Sequence, residues 1–205
     1  MKNFKRSARK SENYVSKNIN SPNTDAYIIL KSVTINMLGI VGDKLAVNRG
    51  KSFENEIRKQ LKMVKGVSVD RIHDQTTGFL GSKNICDFIV YRYPNQFYLE
   101  CKTVHGNVLP FSNISDKQWE GLTKKFTIPG VFSGVICWWV DKDITAFIPM
   151  QLLYSLKLRG RKSIRYDCED SLFNKYKMLY IKGKKKRVFF NYDMQGFLDE
   201  LQFNY

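Results

Sequence analysis

The sequence predicts a mixed α/β (α+β) domain, a central mixed β-sheet flanked by helices. Three observations carry that prediction. Short runs rich in β-branched and aromatic residues alternate with segments of helical period, in the order helix, strands, helix, strands, helix. Turn residues bound nearly every run. The chain has 205 residues and 43% hydrophobic content, enough for one core but cramped for two large domains.

Residues 1–25 are rich in Lys, Arg, Ser and Asn and read as a flexible basic arm. Residues 26–205 read as a single domain. "DAYIILKSVTINMLGIVGDKLAV" suits either a helix or a docked extended segment. "RGKSFENEIRKQLKMVKG" is the clearest helix: Phe53, Ile57, Leu61 and Val64 share one face, and Gly66 follows as a stop. "VSVDRI" reads as a strand and "HDQTTGFLGSKN" as a loop. "ICDFIVY" and "QFYLECKTV" are strands joined by the turn "RYPN". "SDKQWEGLTKKF" is a helix with Ser115 as its N-cap. "GVFSGVICWWV" and "ITAFIPM" form a hairpin, and "MQLLYSLKLR" a helix. "KMLYIKGKKKRVFFNY" reads as a basic hairpin with a Gly turn, and "MQGFLDELQFNY" as a closing helix.

The longest mostly apolar run, "VFSGVICWWV", is too short to cross a bilayer, and the polar N-terminal stretch lacks a secretory h-region, so a cytoplasmic setting (bacterial cytoplasm or nucleoid) is expected, with no membrane partner. Cys86, Cys101, Cys137 and Cys168 form no CxxC pair, which favours free thiols over structural zinc. Net charge is +15. Residues 1–47 hold eight Lys or Arg against three acids, and the remainder 26 against 16, so the basic excess belongs to the domain as well as the arm. Such a balance favours a polyanionic partner, DNA foremost, because phosphate neutralisation releases counterions.

Charge inside the strand-like runs is costly unless paired or bound to metal. Asp87 opens one run; Glu100 and Lys102, two apart, share a face of the next. If these strands pair through "RYPN", Asp87 and Glu100 become cross-strand neighbours on one face. Their repulsion raises a pKa or recruits a hard cation such as Mg²⁺ (Mn²⁺ is the alternative), held by carboxylates and a carbonyl. The metal set expected is Asp87, Glu100 and Cys101. Beside such an ion, Lys102 would orient or deprotonate an attacking water, or stabilise charge on a phosphate. An ion pair between Glu100 and Lys102 is the plainer reading of the acid-x-Lys triplet alone. Glu54 has Arg58 as its i,i+4 surface partner, or else reaches the same cation.

Together these residues resemble the PD-(D/E)xK restriction-endonuclease-like nucleases, and more closely the RecU-type Holliday-junction resolvases. "NRGKSFENEI" is similar to that family's N-R-G-x-x-[FL]-E opening, and "CDFIVY … YLECKT" to its Asp strand followed by an E-x-K strand. "LPFSNISDKQWEGL" is similar to its Phe-Pro…Asp-x-Gln helix entry, with the order here Pro110-Phe111, and "GRKSIR" matches a stretch near its C-terminus. The resemblance implies a restriction-endonuclease-like fold and a Mg²⁺-dependent structure-selective endodeoxyribonuclease acting in DNA recombination and repair as a homodimer on branched DNA. Asp87 and Glu100 would be its metal ligands, Lys102 its catalytic lysine, Glu54 an accessory metal-side carboxylate and Gln118 a helix residue facing the site. The family carries a long stalk insertion between the opening helix and the Asp strand. Only 32 residues separate Glu54 from Asp87 here, with "DRIHDQTTGFLGSKN" as the shorter counterpart. That departure keeps open a sequence-specific or homing-type endonuclease on duplex DNA. A non-enzymatic DNA-binding recombination accessory protein is the third reading.

Two basic clusters become candidate phosphate clamps in a nuclease: Arg161, Lys162 and Arg165 in "GRKSIR", and Lys184, Lys185, Lys186 and Arg187 in "KGKKKR". Arg49 and Lys51 at the opening of the first helix complete the expected DNA-binding set. His73 and His105 are assigned no metal. Trp119, Trp138 and Trp139 could stack on unpaired bases, but Trp138 and Trp139 are expected to divide between the core and a covered sheet face.

Overall fold

The computed structural model describes residues 49–72, 84–168 and 176–204. The basic arm, the 26–48 segment, His73, most of the "HDQTTGFLGSKN" loop and the proposed boundary at residue 26 lie outside these residues.

Helix α1 covers residues 49–61. Its Phe53, Ile57 and Leu61 recur every fourth residue and are wholly buried, each worth roughly 1.5–3 kcal/mol of apolar burial. A turn follows, and Gly66 adopts φ +71°, the left-handed geometry that lets the chain reverse into the first strand. The strands are β1 (Ser68–Arg71), β2 (Phe88–Arg92), β3 (Asn95–Val104), β4 (Val108–Pro110), β5 (Val131–Trp139), β6 (Ile144–Pro149), β7 (Ser163–Arg165), β8 (Leu179–Tyr180), β9 (Gly183–Lys185) and β10 (Phe190–Tyr192). Three further α-helices among the described residues are α2 (Asp116–Phe126), α3 (Met150–Leu158) and α4 (Met194–Asn204).

Six strands form one sheet in the order β1-β2-β3-β5-β6-β8. β3 pairs with β5 in parallel, and every other neighbouring pair in that sheet is antiparallel, so the sheet is mixed as the sequence predicts. A parallel step needs a crossover, and α2 supplies it. Alternation along the strands then builds two cores. Tyr98, Val104, Val135, Cys137, Trp139, Ala146 and Ile148 pack with Trp119 and Leu122 of α2 and with the apolar residues of α3. Phe97, Leu99, Ile136, Trp138 and Phe147 pack on the other face with α1 and α4. Adjacent in sequence, Trp138 and Trp139 therefore serve opposite layers and both are buried, as expected.

Gln60, the one buried polar residue of α1, pins that helix to β10: Nε2 donates to the Phe190 carbonyl at 2.8 Å and Oε1 accepts from the Tyr192 amide at 2.6 Å. One reading of the sequence needs correction. "KMLYIKGKKKRVFFNY" is not one hairpin. Leu179–Tyr180 joins the edge of the main sheet, and the β9–β10 hairpin turns after Lys185, with Gly183 at the start of a strand where the Tyr192 ring leaves little room for a side chain. Within "GRKSIR", Ser163–Arg165 pairs antiparallel with β4. No helix among the described residues is long and apolar enough to cross a membrane.

Candidate active site

The β2–β3 hairpin places the first acid. Its register pairs Phe88 with Leu99, so Asp87, one residue before β2, stands opposite Glu100. The Asp87 amide donates to the Leu99 carbonyl at 3.1 Å, and the Asp87 carboxylate accepts the Cys101 amide at 2.7 Å. Carbonyls two apart on a strand point the same way. The Cys101 carbonyl is therefore directed, like that of Leu99, toward the β2 side, beyond the point where β2 ends. The Cys101 side chain belongs to the opposite layer, against the α1 core, and burial raises its thiol pKa well above the ordinary value. Cys101 thus enters the site through its main chain, not its sulfur.

Glu100 is 3% exposed. One oxygen, Oε1, accepts from Lys102 Nζ at 2.6 Å and from Gln118 Nε2 at 2.6 Å. The other, Oε2, is buried and has no hydrogen-bond partner among the described residues. Gln118 is held for this role by the start of α2. Ser115 caps the helix as the sequence predicts, its hydroxyl accepting the Gln118 amide while Gln118 Oε1 accepts the Ser115 amide at 3.0 Å. The same glutamine side chain closes the capping box and orients Glu100.

Burial is the first cause, and the Glu100 charge the second, that lift the Asp87 carboxyl to about 8. Burial also raises Glu100, against the opposing pull of Lys102 and Gln118. Two carboxylates forced together out of water are over-supplied with negative charge. Glu100 Oε2, lacking any donor, is where a cation would relieve that excess. The available donors are all oxygens, from Asp87, Glu100 and the Cys101 carbonyl, a hard set that suits Mg²⁺ or Mn²⁺ together with water. Among the described residues no three His, Cys, Asp or Glu side chains are grouped to hold a metal ion, so the fit rests on two carboxylates.

Asp87, Glu100, Lys102 and Gln118 line one open cleft of about 640 Å³, together with Lys51, Glu54, Arg71 and Ser115. Glu54 is therefore at the site, but its partner is not Arg58. It pairs with Arg71 at the end of β1, Oε1 to Nη2, at 2.7 Å. Sequence reasoning missed Arg71, since nothing local ties a strand-end arginine to a glutamate 17 residues earlier.

The other basic residues are dispersed. Arg49 Nη1 lies 3.3 Å from His105 Nε2, and His105 Nδ1 lies 2.8 Å from Asp141. Arg161 and Lys162 line a second cleft with Lys157 and Trp119; Ser112 and Ser115 border both clefts. Lys157 sits 4.1 Å from the centre of the buried Trp119 ring. Arg165 forks onto Asp167. In the second basic cluster Lys185 pairs with Asp143 and Lys186 with Glu56, while Lys184 and Arg187 are exposed. The geometry brings Lys51 to the first cleft and Arg161 and Lys162 to the second beside it, and does not bring residues 184–187 into either.

No family model and no curated protein matches the sequence. Among solved structures, the chain is similar to Hjc of Archaeoglobus fulgidus, a Holliday junction resolvase from an archaeal hyperthermophile. The two share 20% identity with a TM-score of 0.38, over 50% of this chain and 78% of that one.

Proposed function

We propose that this chain is a divalent-metal-dependent endonuclease acting on DNA, with branched junctions as its substrate. The observation that carries the reading is the convergence of Asp87, Glu100 and Lys102 in one cleft, with a buried Glu100 oxygen that has no hydrogen-bond partner among the described residues. A basic chain of net charge +15 supplies the attraction for a phosphate backbone.

Asp87, Glu100 and the Cys101 carbonyl would hold the ion, which supplies Lewis-acid stabilisation of phosphoryl charge and a more acidic water. Lys102 is anchored by Glu100 yet about one-fifth exposed, so its ammonium reaches both the acid and the cleft. There it orients the attacking water or offsets charge growing on the phosphate. Gln118 fixes the Glu100 carboxylate against rotation, and the Cys101 amide does the same for Asp87. Cutting a four-way junction requires two opposed incisions, and a two-fold homodimer presents two such clefts.

Duplex DNA as the substrate is the second reading. Asn84 Nδ2 donates to the Ile72 carbonyl at 3.0 Å, so only residues 73–83 can stand in for the family's stalk. The test compares cleavage of a fixed four-way junction with a duplex of equal sequence, with Mg²⁺ and with EDTA. Junction cutting that needs Mg²⁺ supports the proposal; equal cutting of both moves it to duplex DNA. Asp87→Asn and Lys102→Ala should each lower the rate by about 10²–10⁴-fold or more and leave binding intact. Undiminished cleavage in either would remove that residue from the chemistry.

A further inference from the structure

Arg71 belongs to neither the metal set nor the basic clusters, yet it lines the catalytic cleft. Its strand partner in the register is Phe88, so its side chain leaves the sheet on the α1 side, where Glu54 meets it at 2.7 Å. Both side chains are mostly buried, 24% and 16% exposed. Glu54 adds to the negative charge felt by Asp87 and Glu100, but it is not grouped with them to share an ion. A guanidinium carries five N–H donors in a rigid fork, and among the described residues Arg71 pairs with Glu54 through Nη2 alone, which leaves donors of that fork for another acceptor.

We propose that Arg71 is a phosphate-binding residue for the DNA strand in the catalytic cleft, and that Glu54 is its positioning residue rather than a metal-side carboxylate. This rests on the nuclease reading for the identity of the ligand. A planar fork held by a carboxylate on one edge presents its other edge in a fixed orientation, the geometry that favours two-point contact to a phosphate. Arg71 enters from the α1 wall, whereas Lys102 rises from the sheet face that carries Glu100. Arg71 would hold the phosphate on binding, while Lys102 acts on the attacking water or on charge that grows during cleavage, so binding would be separated from catalysis.

The test measures DNA affinity in EDTA, where nothing is cut, and Mn²⁺ affinity without DNA. Arg71→Ala should weaken DNA binding about tenfold or more and reduce the slope of log affinity against log salt by about one. Arg71→Lys, which retains the charge, should keep the slope and recover only part of the affinity. In a Glu54→Gln background the cost of Arg71→Ala should shrink, the signature of coupled residues. Mn²⁺ affinity should change less than threefold in Glu54→Gln. A clear loss of Mn²⁺ binding in Glu54→Gln, or an Arg71→Ala cost that is nil or the same in both backgrounds, would overturn the proposal. DNA binding without cleavage by the wild-type chain would sink the nuclease reading and leave the Arg71 assignment standing. Absence of DNA binding would sink both.

Discussion

At the residue scale the site turns on Gln118, whose two ends do different work. Oε1 accepts from the Ser115 amide and Nε2 donates to Glu100. Gln118→Ala should therefore cost both the helix cap, about 1 kcal/mol, and the orientation of Glu100. Loss of an outer partner of a metal-binding carboxylate commonly lowers activity or metal affinity about 10–100-fold. Ser115→Ala separates the two effects. It removes the acceptor for the Gln118 amide and costs similar stability, while the Gln118–Glu100 bond keeps its donor. Thermal melts should show the two variants about equally weakened, and cleavage assays should show a large defect in Gln118→Ala alone. Equal activities would mean that the glutamine serves only the helix.

At the scale of elements, the position of α2 against the sheet depends on Gly121. A Cβ there would lie 2.4 Å from Ile85 Cγ2 and 2.6 Å from Ile85 Cβ, contacts that cannot stand. Ile85 is two residues before Asp87, and Gly121 one turn beyond Gln118, so the absent side chain sets the spacing between the two halves of the site. Gly121→Ala should destabilise by about 1–3 kcal/mol through overpacking and depress cleavage further, by moving Asp87 and Gln118 apart. Adding Ile85→Ala should restore part of both, measured by melting temperature and turnover. If the double variant is no better than Gly121→Ala, the glycine matters for some reason other than this contact. These elements also show what a sequence carries. The α1 stripe, the β2–β3 hairpin, the β5–β6 hairpin and the Ser115 cap are local patterns, and each was legible. So was the shared face of Asp87, Glu100 and Lys102, because it follows from strand period and a short turn. The Arg71–Glu54 pair, the β4–β7 pairing and the split of β8 from β9 were not. They join segments far apart in the chain, or depend on which strand edge is free, and no local pattern encodes that.

For the whole molecule, the two buried carboxyls link stability, pH and metal. Asp87 titrates near 8 in the folded chain, lifted first by burial and then by Glu100, against an ordinary 3.8. Between those values the native chain holds a proton that the unfolded chain lacks, so stability falls as pH rises through that interval. A divalent ion held at the proposed site would favour the ionised carboxylates, and its binding would be linked to loss of that proton. Its stabilisation should therefore grow with pH, reaching about 2.7 kcal/mol when the ion is present at a hundred times its dissociation constant. For a chain of this size that is about 5–10 °C in melting temperature. Asp87→Asn can still accept the Cys101 amide without the charge. It should flatten the pH dependence of the metal-free protein, raise its stability at pH 8 by ~1 kcal/mol or more, and abolish the response to Mg²⁺. Melting curves at several pH values, with Mg²⁺ and with EDTA, decide the matter. A metal-free protein whose stability rises toward pH 8, or an Asp87→Asn variant that Mg²⁺ stabilises as well as the wild type, would show that these carboxyls do not hold the ion.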